Sequence, residues 1–154
     1  MKLTAAALER QLEKVRDLES QLTFRLSVLS KLLDQQVVAL LKGTPLSLTS
    51  FRILTVVHTF EQISISDISR FNAIDRAQVS RTTIELEKRG FVTFLGDPKS
   101  KRKKLVLLTD EGKAILDEVR PKFEERRQAL EQGLGPEAHK ALWKGMTKLG
   151  ELVI

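Results

Sequence analysis

Apolar side chains recur along the opening stretch of the chain in steps of three and four, at Leu8, Leu12, Val15, Leu18, Leu22, Leu26, Leu29, Leu33, Val37 and Leu40. That spacing keeps one face of a helix apolar, and residues 4–42 contain neither Gly nor Pro to break it. Ser20 can start a second helix, so the stretch reads as one long helix or two, ended by Gly43-Thr44-Pro45. A stripe this long exceeds what a small domain can cover, which predicts an arm that pairs with a second copy of the chain. An ordinary core helix with a frayed start is the alternative.

The pattern then shortens. Ser47 or Thr49 caps a helix over residues 49–60, with Phe51, Leu54, Val57 and either His58 or Phe60 marking its buried side. A short helix over 66–71 follows, with Ile65 and Ile68 inward, and Asn72-Ala73-Ile74 makes a turn. Asp75 caps the next helix, 76–89, in which Val79 and Leu86 face inward with Thr82 or Thr83 between them. Gly90 ends it, with Lys88 and Arg89 in the last turn. Residues 91–95 and 104–108 read as two paired strands around a turn containing Gly96, Asp97 and Pro98. Thr109 caps a helix with Asp110 and Glu111 in its first turn, and Pro121 is expected to kink or interrupt it. Residues 133–135 form a break, and Pro136 starts a last helix that runs to about Leu152. The expected fold is mainly α, with one two-stranded β wing and helical regions at both termini. The expected divisions are 1–44, 45–109 and 110–154.

Composition narrows the function. The chain of 154 residues is 42% hydrophobic, enough for a packed core, and carries a net charge of +6, which favours an anionic partner. It has no cysteine, which excludes disulfides, thiolate zinc sites and thiol redox switching. The N-terminal stretch lacks the uninterrupted apolar core of a signal peptide. No window reaches the roughly 18 apolar residues of a membrane span. These features place the protein in the cytoplasm, away from membranes.

The positive charge is concentrated. Between positions 97 and 104, Lys99, Lys101, Arg102, Lys103 and Lys104 face a single acidic residue, Asp97. Like charges crowded on a hairpin are stabilised by a polyanion whose counterions they release, and an Arg at the tip suits a narrow minor groove. The hairpin directly follows the 76–89 helix, whose N-terminal end can turn Ala77, Gln78 and Arg81 outward. Gln pairs with adenine, Arg with guanine, and a small Ala meets a thymine methyl. Arg76 and Ser80 suit phosphate. The arrangement points to duplex DNA rather than to catalysis. The two histidines, His58 and His139, stand in no catalytic or metal-binding spacing. His58 reads as a hydrogen-bonded core residue, with a ligand pocket or a metal site as alternatives. Trp143, with Leu142 and Met146, reads as core or dimer packing. Glu85, Glu87, Glu124 and Glu125 read as helix-surface carboxylates paired with Lys or Arg.

Three segments carry a resemblance: LTSFRIL (48–54), DISRFNAIDRAQVSRTTIELEKRGFV (67–92) and DPKSKRKKLVLLTDEG (97–112). Together they resemble the MarR family of bacterial regulators, and Leu134-Gly135-Pro136-Glu137 is similar to the break before that family's last helix. The resemblance implies a homodimer with intertwined terminal helices; from the residues, no cofactor or metal is expected. It implies that Ala77, Gln78, Ser80 and Arg81 face a major groove and that Arg102 enters the flanking minor groove. It also implies a pocket for a small-molecule effector between the dimer arm and each winged domain. Ser100 departs from the family's frequent Asp, and Thr82, Thr83 and Ile84 depart from its apolar, apolar, charged pattern. The expected function is a sequence-specific DNA-binding repressor rather than an enzyme. An architectural DNA-binding protein and a module for an acidic protein partner are the alternatives.

Overall fold

The computed structural model describes residues 5–97 and 100–153, with no side-chain description at 5, 6, 97 and 100–103. The elements are α1 (Ala5–Ser20), α2 (Leu22–Leu40), α3 (Leu48–Phe60), β1 (Ile63–Ser64), α4 (Ile65–Asn72), α5 (Arg76–Lys88), β2 (Val92–Asp97), β3 (Ser100–Leu108) and α6 (Asp110–Val153). They form two compact units, Met1–Leu48 and Thr49–Ile154.

In the first unit the long apolar stripe is split into two helices. Ser20 ends α1 instead of starting α2: its hydroxyl donates to the Asp17 carbonyl at 2.7 Å. Gln21, extended at φ −72° and ψ 117°, is the N-cap of α2. A single extended residue suffices to break the helix without Gly or Pro. Leu8, Leu12, Val15, Leu18, Leu22 and Leu29 are all exposed, and α2 contains no fully buried residue. A stripe of this size is left open to solvent in a single copy of the chain.

The core of the second unit is aliphatic. Ile53, Leu54 and Val57 of α3, Ile68 of α4, Val79 and Leu86 of α5, Val92 and Val106 of the sheet, and Ile115, Leu116 and Val119 of α6 are buried. Each such side chain contributes about 1.5–3 kcal/mol when fully removed from water. The buried face of α3 runs through Ser50, Ile53, Leu54 and Val57, an i, i+3, i+4, i+7 stripe that leaves His58 and Phe60 outside it. His58 is therefore exposed rather than a core residue. Phe51, half-buried, stacks its ring on Phe123 with centroids 4.2 Å apart.

The sheet has three strands, not two, in the order β1-β3-β2. β1 pairs antiparallel with β3 (Ile63 with Val106, Ser64 with Leu105). Two residues are too few to show a strand period in sequence, and Ser64 serves at once as strand residue and N-cap of α4, accepting from the Asp67 amide at 3.2 Å. β2 and β3 pair from Val92–Leu108 to Gly96–Lys104, with an irregularity at Gly96 and Asp97.

Pro121 lies inside α6, and the helix is not interrupted there; its non-helical residue is Gly135 at φ 72° and ψ 162°. The bond lost to the proline is that of the Asp117 carbonyl, and Asp117 stands on the exposed side, where water can replace it. Gly135 supplies the expected break before Pro136. Beyond it Trp143 is 65% exposed, with Leu142 and Met146 exposed beside it, so these residues are not core within one chain.

Candidate nucleic-acid interface

The turn between α4 and α5 is held by side chains of α4. The Ser69 hydroxyl donates to the Ile74 carbonyl at 2.7 Å, and Asn72 Nδ2 donates to the Ile68 carbonyl at 3.2 Å. Ala73 takes the left-handed conformation (φ 50°, ψ 38°) that ends α4 and reverses the chain. Asp75 then caps α5, accepting from the Gln78 amide at 3.0 Å. The cap and the inward face fix the rotation of α5. Val79, Thr83 and Leu86 are buried, and the buried Thr83 hydroxyl is satisfied by the Val79 carbonyl at 2.7 Å. Arg76, Ala77, Gln78 and Arg81 are consequently exposed, and Ser80 is half-buried at the edge of the same surface. The five candidate residues of this helix are brought together on its N-terminal half.

The other end of α5 is tied to the start of α6. Gly90, at φ 78°, reverses the chain, and the Phe91 amide donates to the Leu86 carbonyl at 3.0 Å. Thr109 closes the junction. Its amide donates to the Phe91 carbonyl at 3.1 Å and its hydroxyl to the Gly90 carbonyl at 2.6 Å, while the same hydroxyl accepts from the Gly112 amide at 3.0 Å. Gly112 is a glycine for steric reasons, since a Cβ there would meet the Phe91 carbonyl oxygen at 2.0 Å. The sequence showed Thr109 as a helix cap but not its grip on Gly90; a glycine in the first turn of a helix, against propensity, was the available signal. Arg89 lies 3.8 Å from Glu85 and over the Phe91 ring.

The wing is longer than the sequence suggested, because β3 begins at Ser100 rather than at 104. Antiparallel pairing extends the strand, so Lys101, Arg102 and Lys103 belong to β3 in backbone, with side chains outside the described residues. Lys99 lies outside the described residues altogether. Lys104 is exposed, with Nζ 5.7 Å from the centre of the Phe94 ring.

Away from α5, a groove of about 370 Å³ is lined by Val57, His58, Glu61, Gln62, Leu107, Leu108 and Lys113. His58 Nε2 is 3.4 Å from a guanidinium nitrogen of Arg120. Among the described residues no group of three or more His, Cys, Asp or Glu could hold a metal ion, and no helix is long and apolar enough to cross a membrane. On the surface of α6, Glu124 and Glu131 both engage Arg127. The Arg127 hydrogen bonds, and secondly Gln128, hold the Glu124 carboxyl below the usual range, and the same carboxylates raise Arg127.

A helix pair with its second helix capped and exposed, followed by a β hairpin, defines a winged helix-turn-helix DNA-binding protein. The MarR family pattern matches residues 46–104. The HTH-type transcriptional regulator SarZ of Staphylococcus haemolyticus is 30% identical over 114 residues, covering 70% of this chain and 78% of SarZ. The DNA-binding transcriptional repressor ScoC of Bacillus subtilis is 28% identical over 99 residues, 64% of this chain and 49% of ScoC, so the match spans about half of that protein. Among solved structures, BpsR of Bordetella bronchiseptica, whose DNA binding is regulated by 6-hydroxynicotinic acid, superposes with a TM-score of 0.76 at 25% identity, covering 86% of this chain and 94% of BpsR. The chain belongs to the MarR family of transcriptional regulators, which bind DNA and are not enzymes.

Proposed function

We propose that this protein is a homodimeric, sequence-specific repressor that binds a pseudo-palindromic operator in the cytoplasm and is released by a small-molecule effector. The observation that carries the reading is the exposed N-terminal half of α5, where Arg76, Ala77, Gln78 and Arg81 stand clear of the core. Such an end enters a major groove, where side chains read base edges. Arg81 suits guanine and Gln78 adenine; Arg76 and Ser80 suit phosphate. Lys99, Lys101, Arg102 and Lys103 of the wing supply charge for the flanking minor groove.

Dimerisation is supported by the apolar side chains left exposed on α1 and α2 and, in α6, at Leu142, Trp143 and Met146. On this reading residues 1–44 and 110–154 are dimerisation regions and 45–109 the DNA-binding domain. A two-fold dimer sets its half-sites about 10 bp apart. Effector control is supported by the likeness to BpsR, a protein regulated by 6-hydroxynicotinic acid. A ligand that prefers another separation of the two recognition helices would shift the population away from DNA.

The test is selection of bound sites from random duplex DNA at about 0.15 M salt. A recovered pseudo-palindrome supports the reading. Binding without a recovered motif points instead to an architectural role, and absence of binding overturns the reading. Arg81→Ala should weaken the selected operator by about 1–3 kcal/mol and relax one position; an equal loss on every sequence would reduce Arg81 to a phosphate contact.

A further inference from the structure

We propose that Ile84 is a further specificity-determining residue of α5, which closes on the C5-methyl group of a thymine in each half-site. The proposal rests on the operator-binding reading above and adds an apolar contact to its polar ones.

Ile84 lies on the side of α5 turned away from the core. At about 100° per residue, Ala77, Arg81, Ile84 and Lys88 fall within about 60° of one another. The buried residues Val79, Thr83 and Leu86 occupy the opposite face. Ile84 thus shares the outward face with Ala77 and Arg81, and it sits less than one turn beyond Arg81. Its side chain is 44% exposed among Arg81, Glu85, Glu87 and Lys88. A β-branched side chain is a poorer helix former than the straight-chain residues around it, and 44% of its surface is left open to water.

The chemistry of the groove supplies a reason. Isoleucine neither donates nor accepts a hydrogen bond, so it recognises a base only through an apolar group. In the major groove of unmodified DNA that group is the thymine methyl. Opposite cytosine, the same side chain would cover the N4 amino group without pairing it; opposite a purine it would cover N7 and its neighbour. A polar group desolvated without a partner is penalised. Ile84 therefore selects thymine by attraction to the methyl and by rejection of the alternatives.

The experiment uses the full chain and its selected operator, with each thymine replaced in turn, symmetrically in both half-sites, by deoxyuridine, which lacks only the methyl. Binding is followed by fluorescence anisotropy for wild type, Ile84→Ala and Ile84→Val, each checked for wild-type circular dichroism. Burial of one methyl corresponds to about fourfold in affinity per half-site and about fifteenfold over two. The wild type and Ile84→Val should lose that affinity at a position where Ile84→Ala is indifferent to the methyl. Ala77 gives a methyl-sensitive position of its own, which Ile84→Ala leaves unchanged. Methyl sensitivity that is identical in wild type and Ile84→Ala at every thymine overturns this proposal and leaves the operator reading intact. Failure of the wild type to select any operator overturns both.

Discussion

The junction between the recognition helix and α6 makes a sharp demand on Gly112, and Gly112→Ala tests it. The added Cβ would lie 2.0 Å from the Phe91 carbonyl oxygen and 3.0 Å from its carbon, both backbone atoms, and 3.3 Å from Leu108 Cδ2. A carbon and a carbonyl oxygen normally approach no closer than about 3.3 Å, so the start of α6 must retreat by more than about 1 Å. That retreat breaks the bonds from the Thr109 amide to the Phe91 carbonyl (3.1 Å) and from the Thr109 hydroxyl to the Gly90 carbonyl (2.6 Å). Two hydrogen bonds are worth about 1 kcal/mol each, overpacking adds about 1–3 kcal/mol, and the better helix propensity of Ala returns about 1 kcal/mol. The expected loss is about 2–4 kcal/mol, read by urea denaturation at one fixed protein concentration. Gly145→Ala is the comparison: within one chain nothing lies within 4 Å of its Cβ, so unless a second copy packs against it propensity alone acts and stability should rise by up to about 1 kcal/mol. A loss under about 0.5 kcal/mol for Gly112→Ala would refute the steric argument.

Three further outcomes follow from single positions. Ala73 holds a left-handed conformation that is unfavourable for a residue with a Cβ by about 1–2 kcal/mol. Against the extra chain entropy of glycine, about 0.5–1 kcal/mol, Ala73→Gly should stabilise by about 0.5–1 kcal/mol in calorimetry; a lowered melting temperature would contradict this. Asp75→Ala removes the α5 cap and should lose about 1 kcal/mol in urea denaturation, whereas Asp75→Asn, which keeps a capping oxygen, should lie within a few tenths of wild type. Glu124 has a carboxyl held below the usual range by Arg127, so its contribution is present above the unfolded-state pKa and is lost as pH falls through the lower folded-state value. The stability gap between wild type and Glu124→Gln should accordingly be present at neutral pH and shrink in acid; a gap that does not change with pH would remove the linkage. Because the pair is exposed, the gap should be small and should narrow further at high salt.

Much of the second unit was legible because its signals are local. Asp75 and Gly90 bracket α5, and Val79 and Leu86, with Thr82 or Thr83 between them, set its inward face at helical spacing, so the exposure of Ala77, Gln78 and Arg81 followed from a dozen consecutive residues. Thr109 was readable as a cap for the same reason. The misreadings share the opposite property. β1 has two residues and exists by pairing with Val106 and Leu105, far along the chain. His58 adjoins an apolar stripe, and whether it lies inside or outside depends on what packs against α3. At Pro121 the interruption alone does not occur, since the surrounding helix holds the proline where the orphaned carbonyl faces water.

By itself the sequence determined where α5 starts and stops, which helix offers its polar face, and where positive charge gathers. Caps, periodicity and charge runs act over a few residues, and their energies do not wait on the fold. Tertiary structure alone decided that Thr109 reaches back 19 positions to the Gly90 carbonyl and that Gly112 admits no side chain. Those facts depend on close approach between segments distant in sequence, and no local pattern encodes a distance between two such segments.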